Sequence, residues 1–87
     1  MSNHLLAFVR DLSSSPGIYQ FIDSSATVIY VGKAKNLRKR VSSYFSRQLE
    51  LKTQAMIAKV VKIDVIITAT ENEALLLEAD LIKSLKP

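Results

Sequence analysis

At 87 residues the chain is one small domain, and 48% hydrophobic residues are enough to build a core, which excludes a disordered chain. With no cysteine, neither a disulfide scaffold nor a thiolate zinc site can hold it together. The net charge of +4 is uneven: Lys33 to Lys62 carry nine cations against Glu50 alone, a net +8, while the rest of the chain is net −4. Met1 to Leu12 lacks the charged-then-apolar order of a signal peptide, and no run approaches the ~18 apolar residues of a membrane span. A cytoplasmic protein with no membrane partner is expected.

In chain order, His4 to Leu12 reads as a short helix stopped by Ser13-Ser14-Ser15-Pro16-Gly17. Gly17 to Ile22 and Thr27 to Val31 read as strands joined by the turn Asp23-Ser24-Ser25-Ala26. A helix follows with Leu37, Val41, Tyr44 and Phe45 on one face. A second, from about Leu49 to Val61, groups Leu49, Met56, Ile57, Val60 and Val61. The β-branched run Ile63 to Thr68 is a third strand. Thr70 and Glu73 have capping-box spacing, so the last helix starts there and runs towards Lys86. The order α-β-β-α-α-β-α predicts a small α+β fold, with helices packed on a mixed sheet.

Pairing the first two strands about the midpoint of Ser24 and Ser25 sets Tyr19 directly opposite Tyr30 on one face. A longer turn would send the two rings to opposite faces unless a bulge restored the register. Paired aromatics also stabilise hairpins with no further role. Gly32 ends the second strand or admits a close neighbour, and Lys33, Lys35, Arg38, Lys39 and Arg40 come directly after it. Arg40 and Tyr44 are i and i+4 neighbours, and a guanidinium beside the tyrosines can grip a phosphate with two hydrogen bonds. Lys35, Arg38, Lys39 and Arg47 read as DNA-backbone contacts or solvated charges rather than catalytic groups.

In the last helix, Glu78 falls in the middle of the face formed by Ala74, Leu81, Ile82 and Leu85. A carboxylate there is costly unless it is paired, protonated or bound to metal, which leaves an ion pair with Arg40 or another cation, or a functional role. The sole histidine, His4, stands near a terminus, so no histidine general base is expected.

Gly17-Ile18-Tyr19 with Tyr30-Val31-Gly32 resembles the GIY-YIG nuclease motif, with Val for the middle Ile. The strings VIYVGKAKNLRKRVSSYF and TENEALLLEADLIKSLKP extend the likeness from about Pro16 to Pro87, towards the N-terminal nuclease domain of the UvrC family of bacterial nucleotide excision repair. The resemblance implies a three-stranded antiparallel sheet flanked by helices (the GIY-YIG fold) and metal-dependent incision on the 3′ side of a DNA lesion. It makes Tyr19 and Tyr30 the paired active-site tyrosines and places Lys33, Arg40 and Tyr44 around the phosphate. Glu78 becomes the sole protein ligand of one Mg²⁺ or Mn²⁺; Tyr30, helped by Lys33, is expected to orient or deprotonate the attacking water, with Tyr19 as the alternative.

The implied partners are DNA and, through other parts of a full-length protein, UvrB. Residues 1–87 are thus expected to form one nuclease domain of a larger chain; in the family an asparagine beyond the final proline closes the site. The competing readings are a non-catalytic basic DNA-binding module and a standalone endonuclease for branched or nicked DNA. A protein-interaction domain is not indicated, because no exposed apolar stripe is visible in the sequence.

Overall fold

The elements follow the expected order: α1 (Asn3–Arg10), β1 (Gly17–Ile22), β2 (Val28–Ala34), α2 (Leu37–Ser43), α3 (Leu51–Ile57), β3 (Lys62–Ile67) and α4 (Glu71–Leu85). The computed structural model describes residues 3–45 and 49–86. The strands form one antiparallel sheet, β2-β1-β3, with β1 in the centre. Alternation along β1 divides the core. Tyr19 and Phe21 face one way and pack with Leu5, Val9, Leu37, Val41, Tyr44, Ile57 and Ile63. Ile18 faces the other way and meets Val31 and Ala74, with Leu77 and Leu81 of α4 against them. Each fully buried large apolar side chain contributes roughly 1.5–3 kcal/mol, and five of them, Ile18, Tyr19, Phe21, Leu37 and Val41, sit on β1 or α2. The site therefore rests on the best-buried part of the molecule.

The register of the hairpin differs from the expected one. Asp23 N–H donates to the Thr27 carbonyl at 3.0 Å, and the Asp23 carboxylate accepts from Ser25 N and Thr27 N. The turn closes with Ala26 in the left-handed region at φ 62°. Ile22 then pairs with Val28, but Phe21 pairs with Tyr30, so Ile29 is an extra residue on β2. Tyr19 consequently stands opposite Gly32, and Tyr30 is its diagonal neighbour on the same face. The turn is longer than the symmetric one, and the bulge restores the shared face. It also turns Ile29 and Tyr30 towards the same core while Val28 and Val31 face α4.

Gly32 is not the end of a strand, since β2 continues to Ala34. A Cβ on Gly32 would collide with Cζ and Oη of Tyr19, so the glycine is the floor over which the Tyr19 ring lies.

Helix boundaries are set by caps. Asn36 Oδ1 accepts from Lys39 N at 3.0 Å, and Thr70 Oγ1 accepts from Glu73 N at 3.1 Å, as the capping-box spacing predicts. The serine-rich loop does more than stop α1: the Ser15 and Ser13 carbonyls accept from Leu37 N and Arg38 N, satisfying the first donors of α2. The second middle helix is shorter than its periodicity suggests, and Val61, expected on its apolar side, is 52% exposed beyond its end. The stripe on α4 also shifts: Ala74, Leu77 and Leu81 pack on the sheet, whereas Ile82 and Leu85 are each 44% exposed where the helix outruns it. With Leu75, on the same side of α4, they leave an apolar surface that the sequence reading did not anticipate.

Two substitutions test this frame by thermal unfolding. Ala26→Gly relieves a left-handed backbone and is expected to add about 1 kcal/mol, roughly 4–8 °C in Tm. Gly32→Ala displaces the Tyr19 ring and is expected to cost about 2–3 kcal/mol.

Candidate active site

Tyr19 and Tyr44 meet hydroxyl to hydroxyl at 2.7 Å inside the core, joining the central strand to the end of α2. Arg40, one turn earlier on α2, donates from Nε to the Tyr19 oxygen and from Nη2 to the Tyr44 oxygen, both at 3.2 Å, with its guanidinium carbon 5.1 Å from the Tyr44 ring centre. The sequence paired Arg40 with Tyr44; the closing contact to Tyr19 comes from the fold. Each phenol has one proton. One lies between the two oxygens, and Tyr44 also interacts with the Tyr30 hydroxyl.

Burial pushes the Tyr19 phenol above its ordinary value, and the neighbouring Tyr30 pushes in the same direction, against the lowering effect of the bonds to Tyr44 and Arg40. Burial, then the bond to Tyr19, raises Tyr44 as well. For Arg40 burial opposes the charge, but the bond to Tyr19 and the surrounding phenols prevail, and its pKa is raised. The arrangement is a fixed cation held by two neutral hydroxyls.

Tyr30 is only partly buried; its hydroxyl interacts with that of Tyr44, and its ring packs against the group. Its centroid is 6.0 Å from that of Tyr19 and 6.3 Å from that of Tyr44, and it stacks on Phe21 at 5.9 Å. Tyr30, Tyr44 and Arg40 line one cleft of about 670 Å³ with Ile29 and Ser43 on the same side and Leu49, Glu50, Lys52, Thr53 and Met56 opposite. Tyr19 lies beneath it, fully buried. The bulge is why Ile29 and Tyr30 both reach the cleft.

Lys33 leaves β2 on the α4 face, opposite to Tyr30, with its Nζ 3.9 Å from Glu71; Lys35 Nζ is 4.0 Å from the same carboxylate. Strand alternation puts Lys33 and Tyr30 on opposite faces of β2. β2 is an edge strand, however, and a second groove of about 420 Å³ just beyond it is lined by Lys33, Lys35, Lys39, Arg40, Ser43 and Glu71. Arg40 and Ser43 border both hollows. Lys35 and Lys39 stand on the groove, but Arg38 does not; its Nε donates to the Leu12 carbonyl at 2.8 Å and ties α2 to the end of α1. Arg38 is therefore a structural strut as well as a surface charge. Arg47 lies outside the described residues.

Glu78 is half-buried on the packed side of α4, beside Ala74, Leu77 and Leu81. Among the described residues it forms no ion pair, so the expected alternative of a bridge to Arg40 does not hold; Arg40 is engaged by the two phenols instead. No cluster of three or more acidic, histidine or cysteine side chains is present among the described residues. A lone carboxylate of this kind suits a hard divalent ion that keeps most of its waters.

The model of the UvrC-like GIY-YIG domain matches residues 15–87. The chain belongs to this family. Relatives of the UvrC-like GIY-YIG family agree along nearly its whole length. The UvrABC system protein C of Coxiella burnetii is 59% identical over 81 residues, 93% of this chain, and that of Legionella pneumophila is 50% identical over 88 residues, 100% of this chain. The chain spans only 13–14% of the length of these two relatives.

Its fold is that of the magnesium-bound N-terminal GIY-YIG endonuclease domain of UvrC from Thermotoga maritima, with a TM-score of 0.91 at 33% identity, covering 100% of this chain and 96% of the other. Variants of that domain with one tyrosine changed to phenylalanine have also been solved with the catalytic divalent cation bound.

Sequence reasoning missed the cleft wall on α3, the anchoring by Asn36 and the partnership of Glu71 with two lysines. Asn36 before an apolar-periodic run was a legible cap signal, and Glu71 stands in the first turn of α4, where the helix dipole favours it.

The raised phenols predict an alkaline weakness. Unfolded tyrosines ionise near pH ~10, while the folded pair keeps its protons, so the unfolded state binds fewer protons above that pH. The stabilisation is full below pH ~10 and falls as pH climbs towards the raised folded values, by up to ~1.4 kcal/mol per unit for each phenol. Urea unfolding at pH 9 and 11 is expected to show a larger loss for wild type than for Tyr19→Phe. Equal losses would mean that the buried phenols titrate freely.

Proposed function

We propose that the chain is a divalent-metal-dependent DNA endonuclease, and that within a longer UvrC-type protein it makes the 3′-side incision of bacterial nucleotide excision repair. The observation that carries this reading is Arg40, locked by Tyr19 and Tyr44 at the mouth of a cleft that also presents Tyr30. A rigid guanidinium at that place is preorganised for the charge that builds on a phosphoryl group. Other regions of the longer protein would provide contact with UvrB, and the cytoplasm is where bacterial DNA would be met. No described helix is long and apolar enough to cross a membrane.

The side chains divide the work. Arg40 grips the phosphoryl oxygens. Tyr30, the phenol on the cleft wall with no bond to Arg40, orients or deprotonates the attacking water. Lys33 approaches from beyond the edge of β2 and adds positive charge beside the phosphate. Tyr44 lends its hydroxyl to the cleft, and buried Tyr19 is a positioning residue that holds Arg40. Lys35 and Lys39, on the neighbouring groove, hold flanking phosphates. Glu78 fits the metal, being half-buried and without an ion pair among the described residues. One Mg²⁺ or Mn²⁺ held there with its waters would polarise the phosphate and stabilise the leaving 3′ oxygen. That the Thermotoga domain retains its cation in single tyrosine variants supports a carboxylate rather than a phenol as the ligand.

Plasmid nicking in Mg²⁺ or Mn²⁺ tests the proposal. Glu78→Gln is expected to abolish nicking with Tm unchanged, and Tyr30→Phe to lower kcat by about 10²-fold or more without weakening DNA binding. Arg40→Ala should cost about 10²–10³-fold in kcat. Full activity of Glu78→Gln would sink the metal assignment, and DNA binding by a wild type that never nicks would leave a basic binding module.

A further inference from the structure

The wall of the cleft facing Tyr30 belongs to α3, to which none of the roles above is assigned. Past Ile29 and Met56 the cleft continues into a further groove of about 350 Å³, which has Ile29, Lys52 and Met56 in common with it and adds Ala55 and Lys59. The continuous channel has an apolar floor of Ile29 and Met56 and two exposed lysines on its rim. Lys52 and Lys59 form no ion pair among the described residues, in contrast to Lys33, Lys35 and Lys62. Lys52 stands in the first turn of α3 and Lys59 two residues past its end, both on the same groove, so one strand lying in it passes both. Glu50 is the one acid among the channel's described lining residues, and it lies at the end near Leu49.

From these features we infer that α3 guides the cleaved DNA strand away from the site. Lys52 and Lys59 hold backbone phosphates on one side of the scissile bond, and a nucleotide lies against Ile29 and Met56. On the other side the strand passes over Arg40 and Ser43 into the groove of Lys33, Lys35 and Lys39. This rests on the nuclease reading and extends it from a phosphate site to a strand path. Charge complementarity and continuity with the cleft favour a single nucleic-acid strand as occupant. A partner protein segment would have little use for two unpaired lysines over so small an apolar floor.

The test is fluorescence anisotropy of the chain with a labelled single-stranded DNA 12-mer over a NaCl series. The Lys52→Gln/Lys59→Gln double variant is compared with Lys62→Gln, which removes a cation paired with Asp64 on β3, and with Arg40→Gln. Loss of two phosphate contacts is expected to reduce the slope of log K against log salt by about 1.4 and to weaken binding about tenfold at 0.1 M salt. Lys62→Gln should change neither. If the double variant matches Lys62→Gln while Arg40→Gln weakens binding, the path along α3 is wrong and the nuclease reading stands. If wild type does not bind the DNA, both fail. If a peptide or protein partner, rather than DNA, loses affinity in the double variant, the channel belongs to a protein and the inference is overturned.

Discussion

One buried arrangement organises this molecule: the Tyr19 hydroxyl, deep in the core, bonded to both Tyr44 and Arg40. A guanidinium on a short helix would ordinarily sample many rotamers. Here two phenols at 3.2 Å hold one edge of it, Nε and Nη2, and one of those phenols is anchored on the central strand. The anchoring is possible because Gly32 leaves room for the Tyr19 ring to cross β2. Strand pairing, the glycine, the tyrosine and the arginine therefore form one dependent chain, and an added methyl at Gly32 propagates to the cation.

The edge position of β2 does the rest. A strand inside the sheet would separate the Tyr30 face from the Lys33 face by a full layer of backbone. At an edge the two faces meet around an open side, and Arg40 with Ser43 borders the hollows on both. The charge distribution follows the same logic. Cations that face the grooves are left exposed or share Glu71, while Arg38, pointing back towards α1, is bound to a backbone carbonyl. The surplus positive charge of the middle segment is thus concentrated around the cleft and not spread evenly over a helix surface.

Much of this was legible in the residues. Turn and breaker residues located the strands, 3.6-residue periodicity located α2 and α4, and Thr70 marked the start of α4. The shared face of Tyr19 and Tyr30 followed from alternation, but the route to it did not. Asp23 shapes a longer turn than Ser24-Ser25 suggested, and the compensating bulge at Ile29 has no signature in a chain of ordinary β-formers. Lys33 was grouped with the tyrosines by motif alone, and its place on the other face of β2, three residues beyond Tyr30, is set by strand alternation. Glu78 stood out as a carboxylate on an apolar face, yet its freedom from Arg40 depended on the phenols claiming that cation first. The α3 wall was illegible because nothing local ties Lys52 to a tyrosine 22 positions earlier.

Under the proposed function, Glu78 would be the metal ligand of a site that reaches around the edge of β2 to Tyr30. Mn²⁺ titrated into the isotopically labelled chain, with amide and side-chain NMR line broadening followed in wild type and in Glu78→Gln, addresses this without requiring turnover. Broadening centred on Glu78, Lys33 and Tyr30 and lost in the variant is the predicted result. Broadening that persists in Glu78→Gln, or that centres on Glu71 between its two lysines, would contradict the assignment and leave Glu78 an unpaired carboxylate in the α4 interface.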